Sequence, residues 1–206
     1  MAASTAEKIK LEPDLKPSPT YTFLEYLKKE ERSIHKHEFY TGQIIRMPVS
    51  KHTHNAIAAN LIGAFKYLLR PLPKRYIVLS SEQKVYIEQE NLCLYPDALV
   101  ICEKPELWRG REDLIINPLI IVEVLSKSTS NYDRTGKFLH YQSLPSFEEY
   151  ILVEQNRIEV QTWFKIQPDT WHKTVCTDIN ASIELRSLGV SIPLSEIYEY
   201  VEFPLK

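Results

Sequence analysis

Residues 53–69 carry the clearest helical pattern in the chain. Large apolar side chains recur three or four residues apart and therefore fall on one side of a helix; they are Ile57, Leu61, Ala64, Phe65 and Leu68. Pro71 and Pro73 follow this stretch, and proline cannot continue a helix because it has no backbone N–H. The pattern predicts an amphipathic helix that ends before Pro71.

Three further helices are predicted from polar residues that can cap a helix at its first turn. The caps are Thr22, with Glu25 three residues later; Ser128, Thr129 and Ser130, before a helix over about 131–143; and Ser195, before a short final helix. Pro145 ends the second of these helices.

Residues 119–125, Leu-Ile-Ile-Val-Glu-Val-Leu, form a short and almost continuous apolar run. A strand that is exposed on one face alternates apolar and polar residues, so this run predicts a strand buried on both faces, in the middle of a sheet. Two hairpins are predicted, over 37–47 with its turn at Thr41-Gly42 and over 148–164 with its turn at Gln155-Asn156. Other strands are predicted at 76–80, 83–88, 97–102, 171–177 and 182–185, with a polar loop over 103–118.

The order of these elements predicts an α+β fold, built on one mixed central sheet with helices flanking it. Residues 1–19 contain three prolines and few large apolar residues, so we expect a flexible N-terminal lead there. No internal repeat or linker divides the remainder. Residues 20–206 are therefore expected to form a single domain.

Composition narrows the class of protein. The chain has 206 residues, of which 44% are hydrophobic and 25% charged, as in ordinary globular proteins. Its formal charge of -2 gives no global electrostatic reason to bind nucleic acid. It has no apolar run long enough to span a membrane, no signal-peptide core, and three scattered cysteines that suit a reducing compartment. We expect a soluble cytoplasmic protein with no membrane partner.

Two apolar strands each carry one acidic residue. Asp97 begins the strand at 97–102, and Glu123 lies inside the strand at 119–125. An ionised carboxylate among apolar side chains is costly unless it is paired, hydrogen-bonded or bound to a metal. If the two strands are neighbours, the alternation of side chains along a strand allows both carboxylates to converge on one spot.

Two convergent carboxylates suit Mg²⁺, which binds through few protein ligands and keeps several waters. Such an ion can activate a water and neutralise charge that develops on a phosphoryl group. For either residue alone a structural explanation is favoured, in which Glu123 pairs with an arginine of the core and Asp97 caps a strand. The two together favour a functional site.

Glu38 and Lys137 are further candidates. Glu38, in the first hairpin, could supply a third carboxylate, although its position alone favours a solvated strand residue. Lys137 is predicted one turn into the helix that follows the Glu123 strand, four residues after Asp133 and four before Tyr141. Its ammonium could reach the site and stabilise developing negative charge, or it could form a surface ion pair with Asp133. The spacing does not separate these two roles.

Histidines and basic residues raise two other possibilities. His35-Lys36-His37 and His52-Thr53-His54 are H-x-H pairs that could bind Zn²⁺ or Fe²⁺. No later histidine completes such a site, which favours capping or solvated side chains. A basic stretch could contact phosphates or could simply end a helix with cations near its C-terminus; it comprises Lys66, Arg70, Lys74 and Arg75.

Several motifs in combination resemble the Uma2 family, bacterial proteins of the DUF820 type that are described as restriction-endonuclease-like. The motifs are Tyr95-Pro96-Asp97-Ala98; Ile121-Val122-Glu123-Val124-Leu125-Ser126 with Ser128-Thr129; Tyr132-Asp133-Arg134 with Lys137 and Tyr141; Pro145-Ser146; and Glu149-Tyr150. The resemblance extends from about Thr22 to Tyr198. Each motif alone is weak, whereas the combination is specific.

The resemblance implies a restriction-endonuclease-like core of the PD-(D/E)xK superfamily. It implies that Asp97, Glu123 and Glu38 hold Mg²⁺, with Mn²⁺ as a possible substitute, and that the protein hydrolyses phosphodiester bonds of DNA as a homodimer. The superfamily pattern has a lysine two residues after the second acid, where this chain has Leu125, and the resemblance implies that Lys137 takes its role. The alternative is a catalytically inactive nuclease-fold module that binds nucleic acid or a protein partner.

Overall fold

The computed structural model describes residues 20–126 and 130–203. The predicted lead over 1–19 and two of the predicted caps, Ser128 and Thr129, lie outside these ranges. Within them, no helix is both long enough and apolar enough to cross a membrane.

The described ranges contain thirteen strands and five α-helices. The strands are β1 His37–Tyr40, β2 Gln43–Arg46, β3 Tyr76–Ser80, β4 Lys84–Ile87, β5 Leu92–Leu94, β6 Ala98–Cys102, β7 Leu114–Ile115, β8 Ile120–Leu125, β9 Glu149–Glu154, β10 Val160–Gln167, β11 Thr170–Cys176, β12 Ser182–Leu185 and β13 Val190–Pro193. The helices are α1 Phe23–Glu30, α2 His52–Leu69, α3 Ser130–Tyr132, α4 Phe138–Tyr141 and α5 Leu194–Ile197.

A six-stranded mixed sheet forms the centre of the fold, in the order β11-β10-β9-β8-β6-β3. Strands β8 and β9 run parallel, and the other neighbours are antiparallel. All six residues of β8 are buried. The structure therefore confirms the central, doubly buried position that the apolar run over 119–125 predicted.

The remaining strands form two other sheets, so the prediction of a single sheet is wrong. A five-stranded sheet has the order β2-β1-β5-β4-β7, and β12 pairs with β13. Strands β5 and β7 have three and two residues, which is too short for a period-two pattern to appear in the sequence. The predicted loop over 103–118 accordingly contains β7, together with a 3-10 turn at Trp108–Gly110.

The two helices predicted in the N-terminal half of the chain are both present. Thr22 caps α1: its hydroxyl accepts a hydrogen bond from the Glu25 backbone N–H at 3.2 Å, and the Glu25 carboxylate accepts one from the Thr22 N–H at 2.8 Å. Helix α2 ends at Leu69, two residues before Pro71. Helix α5, however, has Pro193 rather than the predicted Ser195 at its cap.

The first hairpin turns at Thr41-Gly42, as predicted. Both residues have positive φ, 44° and 103°, which fits a two-residue turn whose twist matches that of the flanking strands. A Cβ at Gly42 would lie 2.5 Å from the Thr20 side chain. The turn thereby fixes the register in which Glu38 pairs with Ile45.

The predicted helix over 131–143 is interrupted. Between α3 and α4 the backbone forms a π-helical segment, Asp133–Lys137; we call α3, this segment and α4 together the lysine helix. Single π-helical turns inside helices are frequent at functional sites. The segment ends at the candidate residue Lys137.

The central sheet has two differently covered faces. On one, which we call the α2 face, Ile57, Leu61 and Phe65 of α2 pack against Ala98 and Val122. On the other, the site face, side chains of the five-stranded sheet and of the lysine helix cover the strands; they include Leu94, Phe138 and Tyr141 against Leu99, Ile121 and Tyr150.

Candidate functional site

Asp97 lies just before β6, and Glu123 lies on the neighbouring strand β8. Ala98 of β6 is opposite Val122 of β8, and the Asp97 N–H donates to the Val122 carbonyl at 3.1 Å. Asp97 is thus one position before Ala98, where the pairing ends, and Glu123 is one position after Val122, so the two residues are neighbours at this end of the sheet. Glu123 lies on the site face with Ile121 and Leu125. The Asp97 side chain is reached by His54 of α2, the helix that covers the other face.

The Asp97 carboxylate is held at both oxygens. Its Oδ2 accepts a hydrogen bond from the Val124 N–H at 2.7 Å, and its Oδ1 is hydrogen-bonded to Nε2 of His54 at 2.8 Å. His54 lies in the first turn of α2 and is 9% exposed. Each carboxylate oxygen keeps a second lone pair available for a cation.

His54 is a site residue that the sequence analysis missed, since capping or solvated histidines were favoured there. The missed signal is its spacing: His54 precedes Ile57 and Leu61 by three and seven residues, on the buried stripe of α2. His54 is directed to Asp97 and His52 is exposed, so the two histidines of this H-x-H pair have different surroundings.

Glu123 is buried and receives two hydrogen bonds at Oε1. Nζ of Lys137 donates at 3.3 Å and the Tyr141 hydroxyl at 3.2 Å. Burial raises the pKa of Glu123 well above its ordinary value, since water no longer solvates the charge, and the Lys137 ammonium opposes this shift. The carboxylates of Asp133, Asp97 and Glu38 raise the pKa further. A second cation near Glu123 would favour its ionised form.

Lys137 is the centre of a buried charge cluster. Its Nζ lies 3.1 Å from Glu38, 3.3 Å from Glu123 and 3.4 Å from Asp133. Burial would lower the pKa of this ammonium, but the three carboxylates outweigh burial and raise the pKa well above its ordinary value. Lys137 is therefore charged. The Asp133–Lys137 pair exists but is buried, so the surface pair considered from the sequence is wrong.

Glu38 reaches the same cluster from the five-stranded sheet. It is 8% exposed, which corrects the interpretation of a solvated strand residue. Its carboxylate accepts hydrogen bonds from the Tyr40 hydroxyl at 2.6 Å and from the Tyr95 backbone N–H at 3.3 Å. The contact with Tyr95 links Glu38 to the Tyr95-Pro96-Asp97 segment.

Glu30, an acid that the sequence analysis did not single out, holds the Tyr95-Pro96-Asp97 segment in place. The Tyr95 hydroxyl donates to Glu30 of α1 at 2.9 Å, and Glu30 also contacts the His37 ring at 2.8 Å and the His37 backbone N–H at 2.9 Å. Tyr95 is thus fixed at both its backbone and its side chain. This anchors the start of β6, where Asp97 lies.

The donor set matches the preferences of a hard divalent cation in part. Asp97 and Glu123 present carboxylate oxygens, and Mg²⁺ takes one or two carboxylates and fills its other positions with water or phosphate oxygens. In the part of the chain that the structure describes, no group of three or more His, Cys, Asp or Glu side chains is arranged to hold a metal ion. Lys137 lies between Glu38 and Glu123, where a third ligand would otherwise approach.

Comparisons with known proteins point to one family. The family model Uma2, described as "Putative restriction endonuclease", matches residues 23–195. Two proteins of Synechocystis sp. are each 32% identical to the chain: uncharacterized protein sll1609 over 82% of this chain and 94% of its own length, and uncharacterized protein slr1290 over 91% and 96%.

A solved structure has the same fold. It is a "putative nuclease belonging to DUF820" from Anabaena variabilis, with a TM-score of 0.70 and 17% sequence identity over 87% of this chain and 98% of that one. The central mixed sheet with flanking helices is therefore the nuclease-like fold that the sequence predicted.

Proposed function

The chain belongs to the Uma2 family, and on that premise we propose that it is a Mg²⁺-dependent endonuclease that hydrolyses phosphodiester bonds of DNA. The observation that carries this proposal is that Asp97, just before β6, and Glu123, on the neighbouring strand β8, lie next to each other at one end of the sheet, with the buried ammonium of Lys137 3.3 Å from Glu123. Carboxylates and an ammonium at one point match what phosphoryl transfer needs: ligands for a cation and a fixed positive charge.

Each side chain has a proposed role. Asp97 and Glu123 would hold Mg²⁺, or Mn²⁺ in its place, and Glu38 would complete or orient this set. When bound, the cation would supply an activated water and neutralise charge on the phosphate. Lys137 would stabilise the negative charge that builds on the phosphoryl oxygens, and His54 would keep Asp97 in its orientation.

The position of Lys137 supports its assignment as the missing superfamily lysine. Leu125, two residues after Glu123, is 1% exposed and packs in the apolar core of the site face. A lysine at position 125 would bury its ammonium among apolar side chains. Lys137 instead approaches Glu123 from the lysine helix, which covers the same face.

Nicking of supercoiled plasmid in Mg²⁺ or Mn²⁺ tests the proposal. Asp97→Asn, Glu123→Gln and Lys137→Gln should each lower the rate by on the order of 100-fold or more, because each removes a group that acts on the transition state. Glu184→Gln, which removes an exposed acid on β12, should leave the rate unchanged. Equal nicking by all these proteins would identify a contaminant and refute the proposal.

A non-catalytic nuclease-fold module is the second candidate. The observation that favours it is that the Lys137 ammonium lies 3.1 Å from Glu38 and 3.3 Å from Glu123, where a cation bound by both would have to approach. Calorimetry separates the two candidates: the enzyme should bind Mg²⁺ or Mn²⁺, and Asp97→Ala should abolish the binding. A protein that binds DNA but takes up neither cation would be the module.

We also propose that the protein acts as a homodimer, because cleavage of both strands of a duplex needs two sites and a two-fold pair provides them. Sedimentation velocity should give twice the mass of the 24.1 kDa chain. A single species at the mass of one chain, with and without DNA, would contradict this.

A further inference from the structure

Two lysines and two tryptophans alternate on the neighbouring strands β10 and β11. Trp163 is directly opposite Lys173, and Lys165 is directly opposite Trp171. Each ammonium lies over the ring of its partner, at 5.0 Å for Lys173 over Trp163 and 6.0 Å for Lys165 over Trp171. We call these four side chains the tryptophan–lysine patch.

The patch lies on the same face of the central sheet as Glu123. Trp163 is opposite Tyr150 of β9, Tyr150 is opposite Ile121 of β8, and Ile121 is two residues before Glu123. Opposed residues share a face, and so do residues two apart on one strand. The patch therefore borders the site face beyond the lysine helix.

The indoles are fixed from beneath by the lysine helix. Phe138, which follows Lys137, has its ring 4.9 Å from that of Trp163 and 5.0 Å from that of Trp171. A lysine stem that packs over a fixed ring keeps its ammonium in one region of space, and the ring attracts the charge. Both ammoniums are thus held in place on the outer strands of this face.

These two cations are available to an anionic ligand. Among residues 20–126 and 130–203, neither Lys165 nor Lys173 forms an ion pair with a carboxylate. Residues placed diagonally on two antiparallel strands lie about 7–8 Å apart, which allows each lysine to contact a different phosphate of one nucleic-acid strand. Lysines fixed in this way read phosphates and not base sequence.

A second basic feature lies elsewhere. Lys66, Arg70 and Arg75 line a groove of about 310 Å³ between the end of α2 and β3. Helix α2 covers the face of the sheet opposite Glu123, and β3 is the edge strand at the far side from β10 and β11. The groove is therefore separate from the tryptophan–lysine patch.

We propose, on the basis of the endonuclease function above, that the tryptophan–lysine patch binds backbone phosphates of the DNA to one side of the cleavage site, beyond the lysine helix. Lys165 and Lys173 make sequence-independent contacts, and Trp163 and Trp171 hold them in position. The patch thus acts in binding, and the acids in hydrolysis.

Fluorescence anisotropy with a short labelled DNA duplex tests the patch, in EDTA so that no cleavage takes place. The double change Lys165→Gln and Lys173→Gln should weaken binding by about tenfold per lysine at about 0.1 M salt, and the plot of log affinity against log salt should become less steep by about two. The matched control, Lys66→Gln with Arg70→Gln, removes the same charge from the other face and should leave both quantities unchanged.

Circular dichroism and thermal unfolding of both double variants check that they fold. Unchanged DNA affinity in the Lys165/Lys173 variant, or an equal loss of affinity in the control, would overturn the proposed role of the patch. The endonuclease proposal would still stand if the wild type binds the duplex and nicks plasmid. A wild-type protein that neither binds the duplex nor nicks plasmid would overturn both.

Discussion

The two faces of the central sheet differ in how they are covered. On the α2 face, apolar contacts such as Leu61 against Val122 supply the packing. On the site face, Glu38, Glu123 and Lys137 are buried together. Buried ion pairs are often no more stabilising than apolar residues of the same size, because desolvation offsets their attraction. The charge retained inside one face of a sheet whose other face is apolar is therefore the feature on which the proposed function rests.

Removal of the ammonium should have the largest effect on stability. Lys137→Met leaves Glu38, Glu123 and Asp133 buried without their counter-charge, so the free energy of unfolding in urea should fall by about 3–5 kcal/mol. Excess Mn²⁺ should restore part of this loss, because a cation would replace the missing charge. A variant as stable as the wild type without metal would show that the carboxylates do not depend on Lys137.

A cavity on the α2 face should lower stability without changing metal binding at the candidate site. Leu61 is fully buried, and Leu61→Ala should reduce the free energy of unfolding by about 3 kcal/mol. The affinity for Mn²⁺, measured by calorimetry below the unfolding temperature, should remain that of the wild type. If metal affinity fell with stability, the two faces would not be independent.

The contact between His54 and Asp97 should affect metal binding more than folding. His54→Ala removes the hydrogen bond to Asp97 Oδ1, and loss of a group that orients a ligand lowers metal affinity by about 10–100-fold. The neighbour His52 is exposed, which makes His52→Ala the matched control. Equal Mn²⁺ affinity in both variants would remove His54 from the site.

The smallest effect should come from an ion pair in the five-stranded sheet. Burial would raise the pKa of Asp113, but hydrogen bonds from Arg111 and Lys84 lower it below its ordinary value. A carboxyl with a lowered pKa in the folded state stabilises the protein above its unfolded-state pKa, and this contribution is lost as pH falls through the folded-state pKa.

Asp113→Asn should therefore lower the free energy of unfolding at about pH 7 by less than about 1 kcal/mol, because the carboxylate is partly exposed. The difference from the wild type should shrink as the pH falls through the folded-state pKa of Asp113, because the carboxyl then becomes protonated in both states. Urea titrations at a series of pH values measure it. A difference that grew on acidification would give the pKa shift the opposite sign.

The sequence predicted the elements whose signals are local. The apolar run around Glu123 placed β8 in the middle of the sheet, and the Thr22–Glu25 spacing placed the start of α1. The pairing of β6 with β8 was only a condition for the predicted convergence of Asp97 and Glu123, and the structure shows that pairing. What the sequence did indicate is that a carboxylate in an apolar strand is costly unless it is paired, hydrogen-bonded or bound to a metal.

The parts that the sequence did not predict depend on distant packing. Glu38 approaches Lys137 only because the five-stranded sheet packs on the site face, and spacing along the chain carries no record of that contact. Strands β5 and β7 are too short to show a period. The direction of Lys137 depends on the π-helical segment, which changes the angle of the side chains that follow it.

Anomalous diffraction from crystals soaked in Mn²⁺ tests most directly whether Asp97 and Glu123 share one divalent cation. We expect a single strong peak between the two carboxylates, with at least one oxygen of each at ligand distance, and its loss in crystals of Asp97→Asn. The account would be contradicted if crystals in saturating Mn²⁺ showed no peak there while Lys137 kept its contacts with Glu38 and Glu123. The proposed metal-dependent nuclease activity would then lack its metal site.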